Sequence, residues 1–155
     1  MPFLDWVNKA QAQRTTADVP YHLLQFQSAH GDPESENLLI QGDNLLALKA
    51  LLPFYRGRVK CIFIDPPYNT QSAFEHYDDK LEHSQWLSMM WPRIALLREL
   101  LSVDGFIVFH IDDAESHYAK VLLDEVFGRA NYATSIYVQV RYTAKTLKSD
   151  MAYHK

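Results

Sequence analysis

The chain has a single cysteine, few glycines and no excess of positive charge, and each of these shortages argues against a particular structural or functional feature. Cys61 has no second cysteine to pair with, so an internal disulfide is excluded, and its place in an apolar run predicts a packed thiol. No apolar run reaches the ~18 residues of a membrane-spanning helix and no signal peptide is evident, so we expect a cytoplasmic protein. The five glycines lie no closer than eleven residues apart, which excludes a G-x-G turn that lets the backbone approach a cofactor closely.

The charge balance also bears on the partners of the protein. A net charge of −4 on 155 residues counts against a nucleic-acid binder, because phosphate contacts supply most of the affinity for DNA. Residues 141–155 are locally basic, and they form either a solvated tail or the start of a DNA-contacting segment. No set of His, Cys and carboxylate residues has the spacing of metal ligands, so no metal site is predicted.

What the chain does contain is an apolar run, residues 59–64, that leads directly into Asp65, Pro66, Pro67 and Tyr68. A short run rich in β-branched and aromatic residues predicts a buried strand. The two prolines end this strand because neither can donate a hydrogen bond to a neighbouring strand. The acid and the aromatic ring are therefore placed at the carboxyl end of a strand, which is where ligands bind in open α/β sheets.

These four residues are suited to hold a planar amine. The Asp65 side chain and the Pro66 carbonyl are acceptors, and the carbonyl stays available because Pro67 has no N–H with which to close the turn. The Tyr68 ring can stack on the face of the amine-bearing ring, as in enzymes that extrude a nucleobase and bind its edge. The alternative is a strand that simply ends in a proline turn.

The sequence before this motif predicts an α/β unit. Leu38–Ile40 is typical of a strand, and a helix with leucines on one face follows it. Asp43 or Asn44 is expected to cap this helix, and Pro53 and Gly57 are expected to end it. Together with the strand before the motif this gives a strand–helix–strand unit of the kind that forms a parallel sheet.

After the motif, the apolar spacing over residues 86–101 predicts a core helix, which Pro92 kinks or divides into two. Asp104 and Gly105 predict a turn into a strand over residues 106–111, buried on both faces of a parallel sheet.

The two ends of the chain carry weaker patterns. Asp112 and Asp113 are typical N-caps for a helix over residues 115–127, and residues 133–140 are typical of one more strand. Residues 1–20 predict a short amphipathic helix around Trp6 followed by a polar connector.

The Asp-Pro-Pro-Tyr motif resembles the catalytic motif of amino-group DNA methyltransferases. The wider sequence resembles the modification subunit of type III restriction systems and its adenine-specific relatives, in which the catalytic motif comes first in the chain. The resemblance covers about residues 20–145. It is carried by Asn37–Pro53, Asp65–Thr70, Phe74–Asp79, Arg98–Ser102, Ile111–Asp113 and Asp124–Gly128.

The resemblance implies a fold and a cofactor. The fold is α/β, a partial Rossmann-like three-layer αβα sandwich with a mostly parallel sheet, and the cofactor is S-adenosylmethionine. In the family pattern Asp43 borders the adenosine of the cofactor, whereas the sequence alone equally predicts a helix N-cap there. Asn69, Thr70 and Asp112 are the other expected cofactor contacts. Phe74 lies in the long loop that flanks the flipped base in this family.

The implied reaction transfers a methyl group to the 6-amino nitrogen of adenine, with Asp65, Pro66, Pro67 and Tyr68 as the catalytic set. Asp65 and the Pro66 carbonyl would accept the two amino hydrogens, localising the lone pair that attacks the sulfonium methyl in line. Asp at the first position of the motif favours adenine, and methylation of the 4-amino group of cytosine is the alternative. The absence of a cysteine beside a proline argues against methylation of a cytosine ring carbon.

The resemblance also implies partners. DNA is the expected substrate, and its candidate contacts are Phe74, Arg141 and Lys145. A restriction (endonuclease or helicase) subunit is an expected partner. The full-length form is expected to be a homodimer.

Three segments are expected: an N-terminal helix and connector (1–36), the catalytic α/β portion (37–140) and a basic segment (141–155) that begins a downstream region. In the family that region holds the target-recognition part and the glycine-rich cofactor loop, so we expect this chain to be inactive alone. The alternatives are a non-enzymatic remnant or interaction subunit that needs a second chain, and an unrelated α/β domain with a structural proline turn.

Overall fold

The computed structural model describes residues 3–32, 34–69 and 82–138, together with the backbone of two short strands at 145–146 and 152–153. The helices and strands are α1 (Lys9–Asp18), α2 (Asn44–Tyr55), β1 (Val59–Ile64), α3 (His83–Leu100), β2 (Leu101–Phe109), α4 (Ser116–Phe127), the 3₁₀ turn Arg129–Asn131, β3 (Lys145–Thr146) and β4 (Ala152–Tyr153). Among the described residues, no helix is long and apolar enough to cross a membrane.

β1 and β2 form a two-stranded parallel sheet, and β3 and β4 form a short antiparallel pair. The predicted strand over residues 59–64 is confirmed. At the carboxyl ends Ile64 lies opposite Phe109, and the backbone N–H of His110 donates to the Ile64 carbonyl at 2.9 Å. The residues that follow the two strands therefore lie side by side at one edge of the sheet.

β2 begins and ends earlier than predicted, since it covers Leu101–Phe109 and not residues 106–111. Val59 pairs with Leu101 and Cys61 pairs with Phe106, so residues 102–105 bulge out of the ladder between these two pairs. Gly105, predicted to lie in a turn before the strand, is instead part of this bulge. A Cβ atom at Gly105 would lie 2.8 Å from the Val59 carbonyl oxygen, so the close approach of the two backbones requires a glycine.

α3 is the central element of the core. The predicted core helix is confirmed, and it packs against α4 in one cluster, against α2 in a second, and also contacts α1. The cluster with α4 contains Trp86, Leu87, Met90, Ile94, Ala119, Leu122 and Val126. The cluster with α2 contains Leu52, Leu96 and Leu100.

The predictions that α2 ends at Pro53 and that Pro92 divides the core helix in two are wrong. α2 continues through Pro53 to Tyr55, and α3 is a single helix that contains Pro92. A proline within a helix removes one backbone hydrogen bond. In α3 the proline is itself fully buried among core residues, and this packing offsets the lost bond.

One face of the β1–β2 sheet is covered by helices in the described part of the chain, and the other is exposed. Ile62 is buried, and Ile64 packs against the α3–α4 core. On the opposite face Phe63 and Phe106 are 66% and 59% exposed. Cys61, on this face, is exposed as well. The predictions of a sheet buried on both faces and of a packed thiol are therefore wrong here, because successive side chains point to opposite faces of a strand and the helices cover one face.

Two predicted strands are not formed. Among the described residues, residues 38–40 and 133–138 belong to no strand, and Leu39 and Tyr137 are 100% and 92% exposed. The apolar content that suggested these strands is present, but a strand needs a neighbour that accepts and donates its backbone hydrogen bonds. Residues 139 and 140 lie outside the described residues.

The N-terminal helix is displaced from its predicted place. α1 is formed by the polar run Lys9–Asp18, and the apolar residues before it dock as an irregular segment. The Trp6 indole N–H donates to Ser88 Oγ at 2.9 Å, and the Leu4 N–H donates to Glu125 Oε1 at 2.8 Å. Lys9 forms an ion pair with Glu125 at 2.8 Å. These tertiary contacts override the local apolar pattern around Trp6.

Asp43 is the N-cap of α2, as the sequence predicted. Its Oδ1 accepts hydrogen bonds from the N–H groups of Leu45 at 2.9 Å and Leu46 at 3.3 Å. Its Oδ2 lies 3.6 Å from a guanidinium nitrogen of Arg93 on α3, which joins the start of α2 to α3.

We expect Asp43→Ala to lower the free energy of unfolding by about 1 kcal/mol, because two N–H groups of the first turn lose their acceptor. Asp43→Asn keeps a capping oxygen and loses only the charge, so it should cost less than half as much. Urea unfolding followed by circular dichroism measures both. An equal loss in the two variants would mean that the attraction to Arg93, and not the cap, carries the stabilisation.

Candidate active site

The motif residues follow β1 as an ordered turn fixed to the core. Pro66 is buried, and the Asp65 side chain is 56% exposed. The indole N–H of Trp86, a fully buried core residue on α3, donates to the carbonyl oxygen of Pro67 at 2.8 Å. No hydrogen bond from a described residue reaches the Pro66 carbonyl. Trp86 therefore fixes the turn through the Pro67 carbonyl, and the side chain of Asp65 stays exposed.

Asp65, Tyr68 and His110 form a closed triangle of polar contacts. The Tyr68 hydroxyl lies 2.7 Å from Asp65 Oδ1 and 2.7 Å from His110 Nδ1, and His110 Nδ1 lies 3.0 Å from the same Oδ1. The two rings meet edge to face with their centroids 5.5 Å apart. Asp65 Oδ2 has no partner among the described residues. One carboxylate oxygen is therefore held by the protein, and the other is open to a ligand.

The sequence pattern gave no role to His110, because no set of His, Cys and carboxylate residues has the spacing of metal ligands. The contacts of His110 follow from the register of the two strands. Because Ile64 pairs with Phe109, the next residue on each strand, Asp65 and His110, is brought to the same edge. In the described part of the chain no group of three or more His, Cys, Asp or Glu side chains is arranged to hold a metal ion.

The environment of Tyr68 raises the pKa of its phenol to about 12, first through burial, then through the hydrogen bond to Asp65 and the negative charges of Asp65 and Asp112. All of these causes disfavour a phenolate. Tyr68 therefore carries its hydrogen at neutral pH and donates it within the triangle.

Glu115 supports the motif from α4. It is 0% exposed, and its Oε1 accepts hydrogen bonds from Asn69 Nδ2 at 2.6 Å and from His83 at 2.7 Å. Asn69, directly after Tyr68, has a positive φ of 60°, a conformation that asparagine tolerates better than most residues. Glu115 Oε2 is buried without a partner among the described residues. Sequence reasoning took Glu115 only as the start of a helix and missed this role, because the contact is tertiary.

The predicted N-cap at Asp112 and Asp113 is wrong. α4 begins at Ser116 with Glu115 as its N-cap residue, and Asp112 Oδ1 instead accepts the Ala114 N–H at 2.8 Å, closing a turn before the helix. The turn is favoured because an aspartate side chain readily accepts from the backbone two residues on. Asp112 still lies near the motif, since its charge acts on Tyr68.

The predicted site residues are thus only partly brought together. Asp65, Pro66, Pro67, Tyr68 and Asn69 form one turn, and the charge of Asp112 reaches it. Asp43 is engaged at the start of α2. Thr70, Phe74 and Arg141 lie outside the described residues, and only the backbone of Lys145, in β3, is described.

This geometry defines a class of site: an acid with one open carboxylate oxygen, an adjacent carbonyl and a tyrosine, all at the carboxyl edge of a parallel strand pair. The two acceptors suit an amino group on an aromatic ring, and the tyrosine can stack on the face of that ring. The model of the N6/N4 DNA methylase family matches residues 59–151, which is more than half of the chain. The chain belongs to this DNA methylase family, whose members have the fold of S-adenosylmethionine-dependent methyltransferases.

Individual relatives agree with the family. The chain is 39% identical over 128 residues to the probable type III restriction-modification enzyme HindVI Mod subunit of Haemophilus influenzae, covering 83% of this chain and 17% of that protein. It is 35% identical over 167 residues to the type III restriction-modification enzyme EcoPI Mod subunit of Escherichia phage P1, which covers 86% of this chain and 26% of that protein. The type II methyltransferase M.KpnI of Klebsiella pneumoniae is 31% identical over 129 residues, which covers 78% of this chain and 31% of that protein. The chain thus spans less than a third of the length of each of these relatives.

We expect Asp65→Asn to lower the pKa of Tyr68 from about 12 toward the ordinary value of 10.0, because the negative charge beside the phenol is lost. The pKa should stay above 10.0, since burial is the largest cause of its rise. The measurement follows the Tyr68 ¹³Cζ resonance with pH, assigned by its loss in Tyr68→Phe.

Asp113→Asn is the matched control, because it removes an exposed carboxylate from the same edge of the sheet, and it should leave the midpoint of Tyr68 in place. An unchanged midpoint in Asp65→Asn would contradict the triangle.

Proposed function

We propose that this chain forms the catalytic part of a DNA methyltransferase that transfers a methyl group from S-adenosylmethionine to the 6-amino group of an adenine flipped out of the duplex. The observation that carries the proposal is the carboxylate of Asp65, with Oδ1 held by Tyr68 and His110 and Oδ2 without a partner among the described residues. Membership of the DNA methylase family supports it.

Asp65 and Pro66 would act by positioning the amine. The 6-amino nitrogen of adenine is a poor nucleophile because its lone pair is delocalised into the ring. Asp65 Oδ2 and the Pro66 carbonyl oxygen can accept its two hydrogens, which favours a tetrahedral nitrogen with a localised lone pair. This is catalysis by orientation and by fixed charge, without a covalent enzyme intermediate.

Tyr68 would supply the stacking surface for the base. Its ring now stands edge-on to His110, with the hydroxyl bonded within the triangle. The Trp86 bond to Pro67 keeps the backbone of the turn fixed while the side chain of Tyr68 reorients. The base would then be held at its edge by Asp65 and Pro66 and on its face by Tyr68.

The described residues fit a cationic cofactor. S-adenosylmethionine, when bound, supplies an electrophilic methyl group on a positively charged sulfonium. The edge of the sheet beside the motif is acidic, with Asp65, Asp112 and Glu115, whose buried Oε2 has no partner among the described residues. We include Asn69, Thr70 and Asp112 in the cofactor site. Asp43 joins them by family pattern, although it already caps α2 and faces Arg93.

The finer features of the fold and assembly belong to the same proposal. We propose that the β1–β2 pair is part of a Rossmann-like three-layer αβα sandwich, with residues 37–140 as its catalytic portion. Phe74, Arg141 and Lys145 are proposed DNA contacts. By likeness to the type III Mod subunits, a restriction subunit is a proposed partner and a homodimer the proposed full-length form.

A second candidate function is an interaction subunit that needs a companion chain. The exposed apolar face of the sheet, with Phe63 and Phe106, favours it, since a surface of this kind is usually covered in the complete protein. Under this candidate the chain alone would have no activity.

Methyl transfer tests the proposal. This chain replaces the aligned segment of the EcoPI Mod subunit, which supplies the regions beyond its length, and methyl incorporation from S-adenosylmethionine into DNA is measured with identification of the methylated base. We expect 6-methyladenine. Asp65→Ala should lower kcat/KM by about 10²–10³-fold, as does loss of one preorganised electrostatic group elsewhere.

Asp113→Asn, a carboxylate change at the same edge, is the control and should keep full activity. 4-Methylcytosine as the product would overturn the choice of adenine. A folded chimeric protein without transfer, or one in which Asp65→Ala is harmless, would contradict an enzymatic role for this motif and favour the interaction subunit.

A further inference from the structure

We propose that His110 is a positioning residue of this site: its Nδ1–H holds Oδ1 of Asp65, so that Oδ2 is turned toward the amine when Tyr68 leaves the triangle to stack on the base. The proposal rests on the function proposed above and deepens it.

The number of hydrogens available within the triangle of Asp65, Tyr68 and His110 determines which ring nitrogen of His110 carries its hydrogen. Asp65 is an acceptor at both oxygens when ionised, and the Tyr68 phenol has one hydrogen. If His110 carried its hydrogen on Nε2, the lone pair of Nδ1 would face the negative Oδ1 at 3.0 Å. With the hydrogen on Nδ1, both Tyr68 and His110 donate to Oδ1, and no two lone pairs face each other. The geometry therefore points to the Nδ1–H form.

His110 is also the partner of Asp65 that stays in place. Its backbone N–H is bonded to the Ile64 carbonyl at 2.9 Å, so it continues the pairing of the sheet. Its ring contacts two aromatic rings, that of Phe63 at a centroid distance of 6.3 Å and that of Tyr68 at 5.5 Å. Tyr68 lies on the turn and must release Oδ1 in order to present its ring face to a base. His110 then becomes the remaining donor to Oδ1, and without it the carboxylate is able to rotate.

The first test uses the full 155-residue chain and requires no activity. ¹⁵N chemical shifts of the imidazole nitrogens at neutral pH distinguish a protonated from an unprotonated Nδ1, with His110 assigned by His110→Asn. We expect a protonated Nδ1 in His110. His117, which is exposed on α4, is the internal comparison. An unprotonated Nδ1 in His110 would overturn the proposal whether or not the protein methylates DNA.

The second test separates positioning from structural support. In the methyl-transfer assay, His110→Ala should lower kcat on the order of 10- to 100-fold with little change in the KM for S-adenosylmethionine, since a misplaced group costs about this much. His110→Asn, whose amide nitrogen can occupy the place of Nδ1, should restore most of the loss, and His117→Asn should have no effect. Equal loss in His110→Ala and His110→Asn, or no loss in either, would overturn the role of His110. Absence of transfer in the unsubstituted protein would instead count against the proposed function, leaving the ¹⁵N result to decide the hydrogen position.

Discussion

The parallel pairing of β1 with β2 is the constraint on which the rest of the site depends. Since Ile64 lies opposite Phe109, the chain leaves both strands at the same level, and Asp65 and His110 meet. A shift of one residue in this register would turn the side chains of β1 to the opposite face and would separate the two. The bulge at residues 102–105, made possible by Gly105, sets the register.

The core and the site share residues, which explains how an exposed turn can be ordered. Trp86 fills the centre of the α3–α4 cluster and also fixes the Pro67 carbonyl. Glu115, at the start of α4, joins Asn69 to His83 at the start of α3. The motif is thus held from both helices that cover the sheet. A buried carboxylate oxygen without a hydrogen bond is costly, and Oε2 of Glu115 has no partner among the described residues, so Glu115 supports the site at some expense of stability.

The sequence predicts the parts of this arrangement that depend on local chemistry. The bounds of β1 follow from its β-branched residues and the two prolines, the cap at Asp43 follows from side-chain preference, and the core helix follows from its spacing. The contacts of His110 and Glu115 could not be predicted in this way, because they depend on strand register and on tertiary packing. The predicted strand at Leu38–Ile40 is wrong for the same reason, since apolar content alone does not supply a hydrogen-bonding neighbour.

The most direct test of the account is a crystal structure of the chain with an oligodeoxynucleotide that carries one unpaired adenine. We expect the 6-amino nitrogen at hydrogen-bonding distance, about 3 Å, from both Asp65 Oδ2 and the Pro66 carbonyl oxygen. We also expect Oδ1 to remain on His110 and Tyr68 to be stacked on the base. An adenine whose amino group lies away from Asp65, or an Asp65 carboxylate engaged by the protein through both oxygens, would contradict the proposed role of the motif.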